Sequence, residues 1–165
     1  MEFSAEETVL CQLEVGLPVV LEAARRSTGF FVLNAAPAMD LPAELLERCD
    51  LVIVNETEYQ LIPALAEAKL VAVTYGKDGS AMFEHGRRVA EAPASTVTVA
   101  NTIGAGDAFC AALVLALRAG LPYDRALAVA NAVGADAVGD PSSQPALAPL
   151  EKYIARATEA AVACQ

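Results

Sequence analysis

Residues 101–107, with the sequence NTIGAGD, are the part of the chain whose residue types and spacing best fit a chemical role. Gly104 and Gly106 would let the backbone turn tightly, and the apolar residues 108–117 predict a helix that begins at this turn. The unpaired N–H groups at a helix start, with the positive end of its dipole, form a binding site for phosphate. Asp107 would lie beside that anion, where a general base takes a proton from a hydroxyl attacking phosphorus. The segment therefore predicts phosphoryl transfer.

The same residues also have a purely structural explanation. The two glycines could form only a tight turn, and Asp107 could act only as an early-turn carboxylate that stabilises the helix dipole. A Gly-x-Gly-Asp sequence taken alone is a weak motif. The rest of the chain must therefore decide between the two interpretations.

This segment resembles the second conserved motif of the ribokinase, or PfkB-type, carbohydrate kinases, which is Asp-Thr-x-Gly-Ala-Gly-Asp followed by an aromatic residue, here Phe109. Four other segments resemble landmarks of that family in the same order along the chain: CQLE at 11–14, NAAPA at 34–38, NETE at 55–58 and TYGKDG at 74–79. Five ordered matches are far more specific than any one of them. The resemblance implies a three-layer α/β fold, with a mostly parallel sheet flanked by helices, and the ATP-dependent phosphorylation of a sugar hydroxyl.

The resemblance also implies roles for individual residues. Asp107 would be the general base beside the sugar hydroxyl, and the amides of Gly104, Ala105 and Gly106 would form the anion hole. Glu14 would contact the sugar, and Glu58 would hold Mg²⁺ through water, since magnesium keeps several waters and takes few protein carboxylates. The residues that would contact the nucleotide are Asn55, Thr74, Gly76, Gly79 and Asn131.

Each of these nucleotide and magnesium contacts has an alternative explanation. Asn55 and Glu58 could be a helix N-cap with an acidic first turn. Thr74, Gly76 and Gly79 could simply form the turn between a strand and a hairpin. A polar residue such as Asn131 on a helix is more often solvated.

Asn101 departs from the family pattern, which has Asp at this position. Family members build a monovalent-cation site from that Asp, nearby backbone carbonyls such as that of Ile103, and a Gly-rich loop before the last helix. An amide keeps an oxygen ligand but removes a charge, which weakens attraction for a hard cation. We therefore expect weak or absent activation by monovalent cations, although Asp140 could compensate.

The composition predicts one soluble domain over residues 1–165. A formal net charge of −10 argues against a nucleic-acid surface, which would need a basic stripe. The longest apolar run, 108–117, is too short to span a bilayer, and the acidic start lacks the features of a secretory signal, so we expect a cytoplasmic protein. The spacing of the four cysteines (Cys11, Cys49, Cys110 and Cys164) fits neither a zinc site nor a disulfide scaffold, and indicates reduced thiols.

Strand-like and helix-like segments alternate along the chain, as in βαβ folds. The predicted strands are 8–14, 30–34, 51–55, 70–75, 80–84, 87–90 and 96–100, and the predicted helices are 17–26, 42–48, 62–69, 105–119, 123–137 and 150–162. The motifs follow the ends of strands, and in open α/β sheets ligands collect outside those carboxyl ends.

The N-terminal elements of the family have no match before Thr8: a Gly-Gly motif, a sugar-binding Asp and Asn, and a β-lid over the substrate. The chain therefore resembles a nucleotide-binding and catalytic portion without most of its sugar site. Three functions stay open: a sugar kinase; a nucleotide-binding or assembly module without turnover, including one half of a two-chain enzyme; and an unrelated phosphate-binding protein. We also expect self-association or a complementary N-terminal half, because an exposed strand edge templates further pairing.

Overall fold

The computed structural model describes residues 3–142 and 144–163, which contain six strands and six α-helices. Strands and helices alternate as far as β4, and the last three helices follow β5 and β6. The strands are β1 (Thr8–Gln12), β2 (Phe30–Asn34), β3 (Leu51–Asn55), β4 (Val71–Thr74), β5 (Ser80–Glu84) and β6 (Arg87–Ala92). The helices are α1 (Leu17–Arg26), α2 (Ala43–Arg48), α3 (Glu56–Leu61), α4 (Ala105–Arg118), α5 (Tyr123–Gly139) and α6 (Leu150–Ala163).

The strands form one mixed sheet in the order β1-β2-β3-β4-β5-β6. The first four are parallel, because a helix connects each of them to the next. Four successive residues of β3, 51–54, are buried, as expected for a parallel strand with both faces covered. β1 lies at one end of the order and is largely exposed or half-buried.

The chain divides into two compact units. The first comprises Met1–Tyr75 and Met82–Val89, and its core is built from β2, β3 and β4. The second comprises Gly76–Ala81 and Ala90–Gln165. In the second unit α4 packs on α5 and α5 packs on α6, around buried residues that include Phe109, Leu113, Leu127, Val133 and Tyr153. The single domain expected over 1–165 stays a prediction.

The predicted strand at 96–100 is wrong. Residues 93–99 have no regular secondary structure, and the side chains of Val97 and Val99 are exposed. The segment is instead tied to the end of α5, since the N–H groups of Ala100 and Asn101 both donate to the Val138 carbonyl. An alternating pattern does not make a strand without a neighbouring strand to pair with.

The predicted helix at 62–69 is also wrong. α3 begins earlier, at Glu56, and is followed by a short 3₁₀ segment at Pro63–Glu67. Pro63 has no N–H to donate, so it cannot continue the α-helical hydrogen bonding of α3. β1 ends at Gln12 rather than at Glu14, because Leu13–Val15 form a 3₁₀ turn.

Within the described part of the chain, Cys11, Cys49 and Cys110 form no disulfide, and the last two are buried. Burial raises the pKa of the Cys49 thiol to about 12 and also raises the pKa of Cys11. The remaining cysteine, Cys164, lies outside the described residues, as do positions 1 and 2 of the acidic start and residue 143. Among the described residues, none of the helices has the length and apolar character needed to cross a bilayer.

Candidate functional site

The start of α4 carries the residues expected to do chemistry. Gly104 is the N-cap and adopts a left-handed conformation, with φ 77° and ψ −4°, which an L side chain makes costly. Its carbonyl accepts the N–H of Ala108 at 2.9 Å, so the helix begins immediately after the turn. Helix geometry leaves the first-turn N–H groups of α4 directed toward its N-terminal end, and Asp107 is the acidic residue of that turn.

Of the two glycines, only Gly104 needs its conformational freedom within the protein. Gly106 lies inside α4, and a Cβ placed on it would meet no atom within 4 Å among the described residues outside the helix's own backbone. The expectation that both glycines shape the turn is therefore corrected: the turn depends on Gly104, and the open space beside Gly106 is where a ligand could approach.

Asn101 stabilises the segment that precedes this turn. Its Oδ1 accepts the N–H of Ile103 at 3.0 Å, and its Nδ2 lies 3.4 Å from the Pro141 carbonyl oxygen. Asp140 is engaged within its own loop, because its two carboxylate oxygens accept the N–H groups of Ser142 and Ala146. Within the second unit, the amide of Asn101 therefore joins the two segments expected to surround a monovalent cation.

In the first unit, the expected sugar contact follows the end of β1. Glu14 is exposed in the 3₁₀ turn after this strand. The adjacent residue, Leu13, donates its N–H to the carbonyl of Ala36, which follows the neighbouring parallel strand β2. The segments 11–14 and 34–38 are thus brought together at one edge of the sheet, as the parallel arrangement predicts.

Asn55 and Glu58 form a capping box at the start of α3. Asn55 Oδ1 accepts the Glu58 N–H at 2.8 Å, and Glu58 Oε2 accepts the Asn55 N–H at 2.7 Å. The alternative considered for this pair, a helix N-cap with an acidic first turn, is therefore present. It engages Oε2 of Glu58 and leaves Oε1 outside the box, so one carboxylate oxygen fits a water-mediated contact with Mg²⁺. The described residues contain no group of three or more His, Cys, Asp or Glu side chains that could hold a metal ion.

Thr74 ends β4 beside Asn55, since the two residues are paired in the register of β3 and β4. Its hydroxyl lies 3.5 Å from the carbonyl oxygen of Val54.

Gly79 has a φ of +100°, and a Cβ there would lie 2.2 Å from the Ala92 carbonyl oxygen. Only glycine fits this position, so the turn at 76–79 depends on it.

Asn131, on α5, is half-buried, and its amide is hydrogen-bonded within the protein rather than to solvent alone. Its Nδ2 donates to the carbonyls of Ala92 and Pro93 at 3.1 and 3.0 Å, and its Oδ1 accepts the Ser80 hydroxyl at 2.9 Å. Sequence reasoning did not single out Ser80. The feature that could have identified Ser80 is its position, since it is a polar residue that directly follows Gly79 and begins the buried strand β5.

A model of the pfkB family carbohydrate kinases matches residues 16–150. A ribokinase of Staphylococcus aureus is 33% identical over 64% of this chain and 41% of its own length. The mouse ribokinase is 30% identical over 86% of this chain and 52% of its own length. This chain therefore spans about half the length of the curated relatives it matches.

A solved structure of Arabidopsis thaliana ribokinase complexed with ribose and ATP superposes with a TM-score of 0.77 at 25% identity. The superposition covers 91% of this chain and 55% of that one. It confirms the α/β fold class expected from the sequence. Since the family model covers most of the sequence, the chain belongs to the pfkB family of carbohydrate kinases.

Proposed function

We propose that this protein transfers the γ-phosphoryl group of ATP to a sugar hydroxyl, with Asp107 as the general base. One observation carries the proposal: α4 begins at the left-handed Gly104, so a carboxylate and first-turn amides occupy the same helix start. Such amides bind an anion, and a carboxylate beside them can accept a proton.

In the proposed reaction the substrate hydroxyl gives its proton to the Asp107 carboxylate. Its oxygen forms a bond to the γ-phosphorus while the bond from that phosphorus to the bridging oxygen of ADP breaks. The amides of Gly104, Ala105 and Gly106 stabilise the charge on the transferred group. Glu14 contacts the sugar in this scheme.

The nucleotide contacts in the proposal are Asn55, Thr74, Gly76, Gly79 and Asn131. Glu58 would hold Mg²⁺ through water, and the bound ion would neutralise charge on the phosphate oxygens. The proposal draws support from the ribokinase relatives and from the ATP complex of the Arabidopsis protein.

The proposal includes weak or absent activation by monovalent cations. Asn101 offers no charge to a cation beside Ile103, and its amide N–H is directed to the Pro141 carbonyl. ATP turnover measured in potassium and in a bulky organic cation at equal ionic strength tests this. Similar rates support it, and a large potassium activation contradicts it.

The experiment that tests the main proposal is ADP release by the full chain over a panel of sugars, with ATP-dependent thermal stabilisation measured in parallel. Sugar-dependent ADP release supports the kinase. Absence of both stabilisation and ADP release would contradict the kinase and the nucleotide-binding module, and would leave the unrelated phosphate-binding protein as the remaining candidate.

A second candidate is a nucleotide-binding module with little turnover, or one half of a two-chain kinase. It is favoured by the fact that the chain spans about half the length of its curated relatives. Stabilisation by ATP without sugar-dependent ADP release distinguishes this candidate from the kinase.

A further inference from the structure

Asn131 uses both ends of its amide inside the protein. An asparagine side chain carries one carbonyl oxygen and one NH₂ group with two donors. Here the oxygen accepts from Ser80, while the nitrogen donates to Ala92 and Pro93. Ser80 itself is only 2% exposed, so its hydroxyl depends on this partner. These bonds use both N–H donors of the amide, so Asn131 has none left to donate to an adenine base.

The two segments that Asn131 joins also meet each other at Gly79. A Cβ on Gly79 would lie 2.2 Å from the Ala92 oxygen and 2.8 Å from the Ala94 nitrogen. The backbone of the turn therefore rests directly on residues 92–94. The Gly79 N–H closes the turn by donating to the Gly76 carbonyl at 3.2 Å. Asn131 therefore bonds both to Ser80, which follows the turn, and to residues 92 and 93, on which the turn packs.

α5, which carries Asn131, also contacts the start of α4. Gly134 follows Asn131 by three positions, so the two residues share a face of α5. A Cβ on Gly134 would lie 3.6 Å from the Ala105 carbonyl oxygen, in the first turn of α4. One face of α5 thus contacts both the helix start that carries Asp107 and the segments around Gly79.

We propose that the Ser80–Asn131 pair positions the nucleotide-binding turn at 76–80, and that Asn131 acts on ATP through this backbone rather than by a hydrogen bond to the base. The inference rests on the proposed function, because it takes the turn as a nucleotide contact. Ser80 and Asn131 are positioning residues in this assignment, and neither needs to touch the ligand.

The test compares Ser80→Ala, Asn131→Ala, the double variant and Asn131→Asp in the full chain. ATP affinity is measured by titration calorimetry at a temperature where circular dichroism shows every variant folded. Losing one such hydrogen bond should weaken ATP binding roughly 3- to 10-fold. The effects of Ser80→Ala and Asn131→Ala should be less than additive in the double variant, because the two residues share one bond. Asn131→Asp keeps the acceptor for Ser80, loses both donors, and should also weaken binding.

Tyr153→Phe is the matched control. Tyr153 is likewise buried in the second unit, and its hydroxyl joins α6 to Asp136 on α5 at 2.9 Å. Its loss should lower the melting temperature and leave ATP affinity unchanged. Where ADP release is measurable, the positioning variants should raise KM for ATP more than they lower kcat, a division that general destabilisation would not produce.

Three results would overturn the inference. If Asn131→Ala weakens ATP binding while Ser80→Ala does not, Asn131 contacts the nucleotide directly. If the Ser80 and Asn131 variants lower only the melting temperature, as is expected for Tyr153→Phe, the pair stabilises the fold and does not position the turn for ATP. If the unmodified chain does not bind ATP, the proposed function fails and this inference fails with it.

Discussion

Asp107 is the residue on which the catalytic proposal depends. Asp107→Asn keeps the shape of the side chain and removes its basic oxygen. General-base catalysis contributes about 10²- to 10⁴-fold in rate, so sugar-dependent ADP release should fall by that factor. ATP affinity should hold or rise slightly, because a negative charge beside the phosphate is lost. Loss of ATP binding or of folding, with the rate per bound nucleotide intact, would make Asp107 a structural residue.

Gly104 and Gly106 should respond differently to the same substitution. Gly104→Ala places a side chain in the left-handed region and should lower the free energy of unfolding by about 1–2 kcal/mol. Gly106→Ala meets no atom within 4 Å and should leave stability unchanged or raise it. If phosphate approaches this helix start, Gly106→Ala should still weaken ATP binding. Urea denaturation and calorimetry on both variants separate the two effects, and a Gly106→Ala protein with unaltered ATP affinity would contradict the anion hole.

α3 begins at a capping box, whose contribution to stability can be separated from any role in nucleotide binding. Asn55→Ala removes the cap and should cost about 0.5–2 kcal/mol of unfolding free energy. Asn55→Asp keeps a capping oxygen and should retain most of the stability, but it places a charge where phosphate is expected. A stable Asn55→Asp protein with weaker ATP binding supports a nucleotide contact, whereas unaltered ATP binding would leave Asn55 with the capping role alone.

β1 lies at the end of the sheet order with apolar side chains exposed on and after it, including Leu10, which is 39% exposed. We expect the chain to self-associate through this edge, and Leu10→Lys to reduce the association, because charged residues discourage edge pairing. Light scattering coupled to size-exclusion chromatography measures the mass. Leu115→Lys on α4, at a side chain 54% exposed, is the control. A monomeric unmodified chain would contradict self-association through this edge. Equal effects of both variants would indicate nonspecific apolar contact.

The stability of the molecule should depend on alkaline pH through Cys49. Burial raises the pKa of this thiol from 9.0 to about 12, so the folded chain keeps its proton where the unfolded chain releases it. The stabilising contribution is therefore complete below about pH 9 and is lost as the pH rises toward 12. Urea denaturation across this window should show a steeper loss for the unmodified chain than for Cys49→Ala. Equal slopes would mean that the thiol titrates normally.

Much of the architecture follows from local features of the sequence. The apolar runs of β2, β3 and β5 match the predicted strands, and α1 and α4 begin where the sequence predicted. These elements could be predicted because their determinants lie within a few residues of each other. The strands are continuous apolar runs, α1 has a proline in its first turn, and a glycine precedes α4. The ordered motifs identified the family for the same reason, since each is a short segment.

Other features depended on residues far apart in the chain. Segment 96–100 alternates like a strand, yet it bonds to the end of α5, and no strand of the described residues pairs with it. Asn131 read as a solvated or ligand-facing residue until its partners were known, and Ser80 lies 51 positions away. The sequence determined most of the elements and the family they belong to, because periodicity, capping and turn chemistry are local. Only the tertiary structure decided which polar groups satisfy one another, because a buried hydrogen bond joins whichever donor and acceptor the packing brings together.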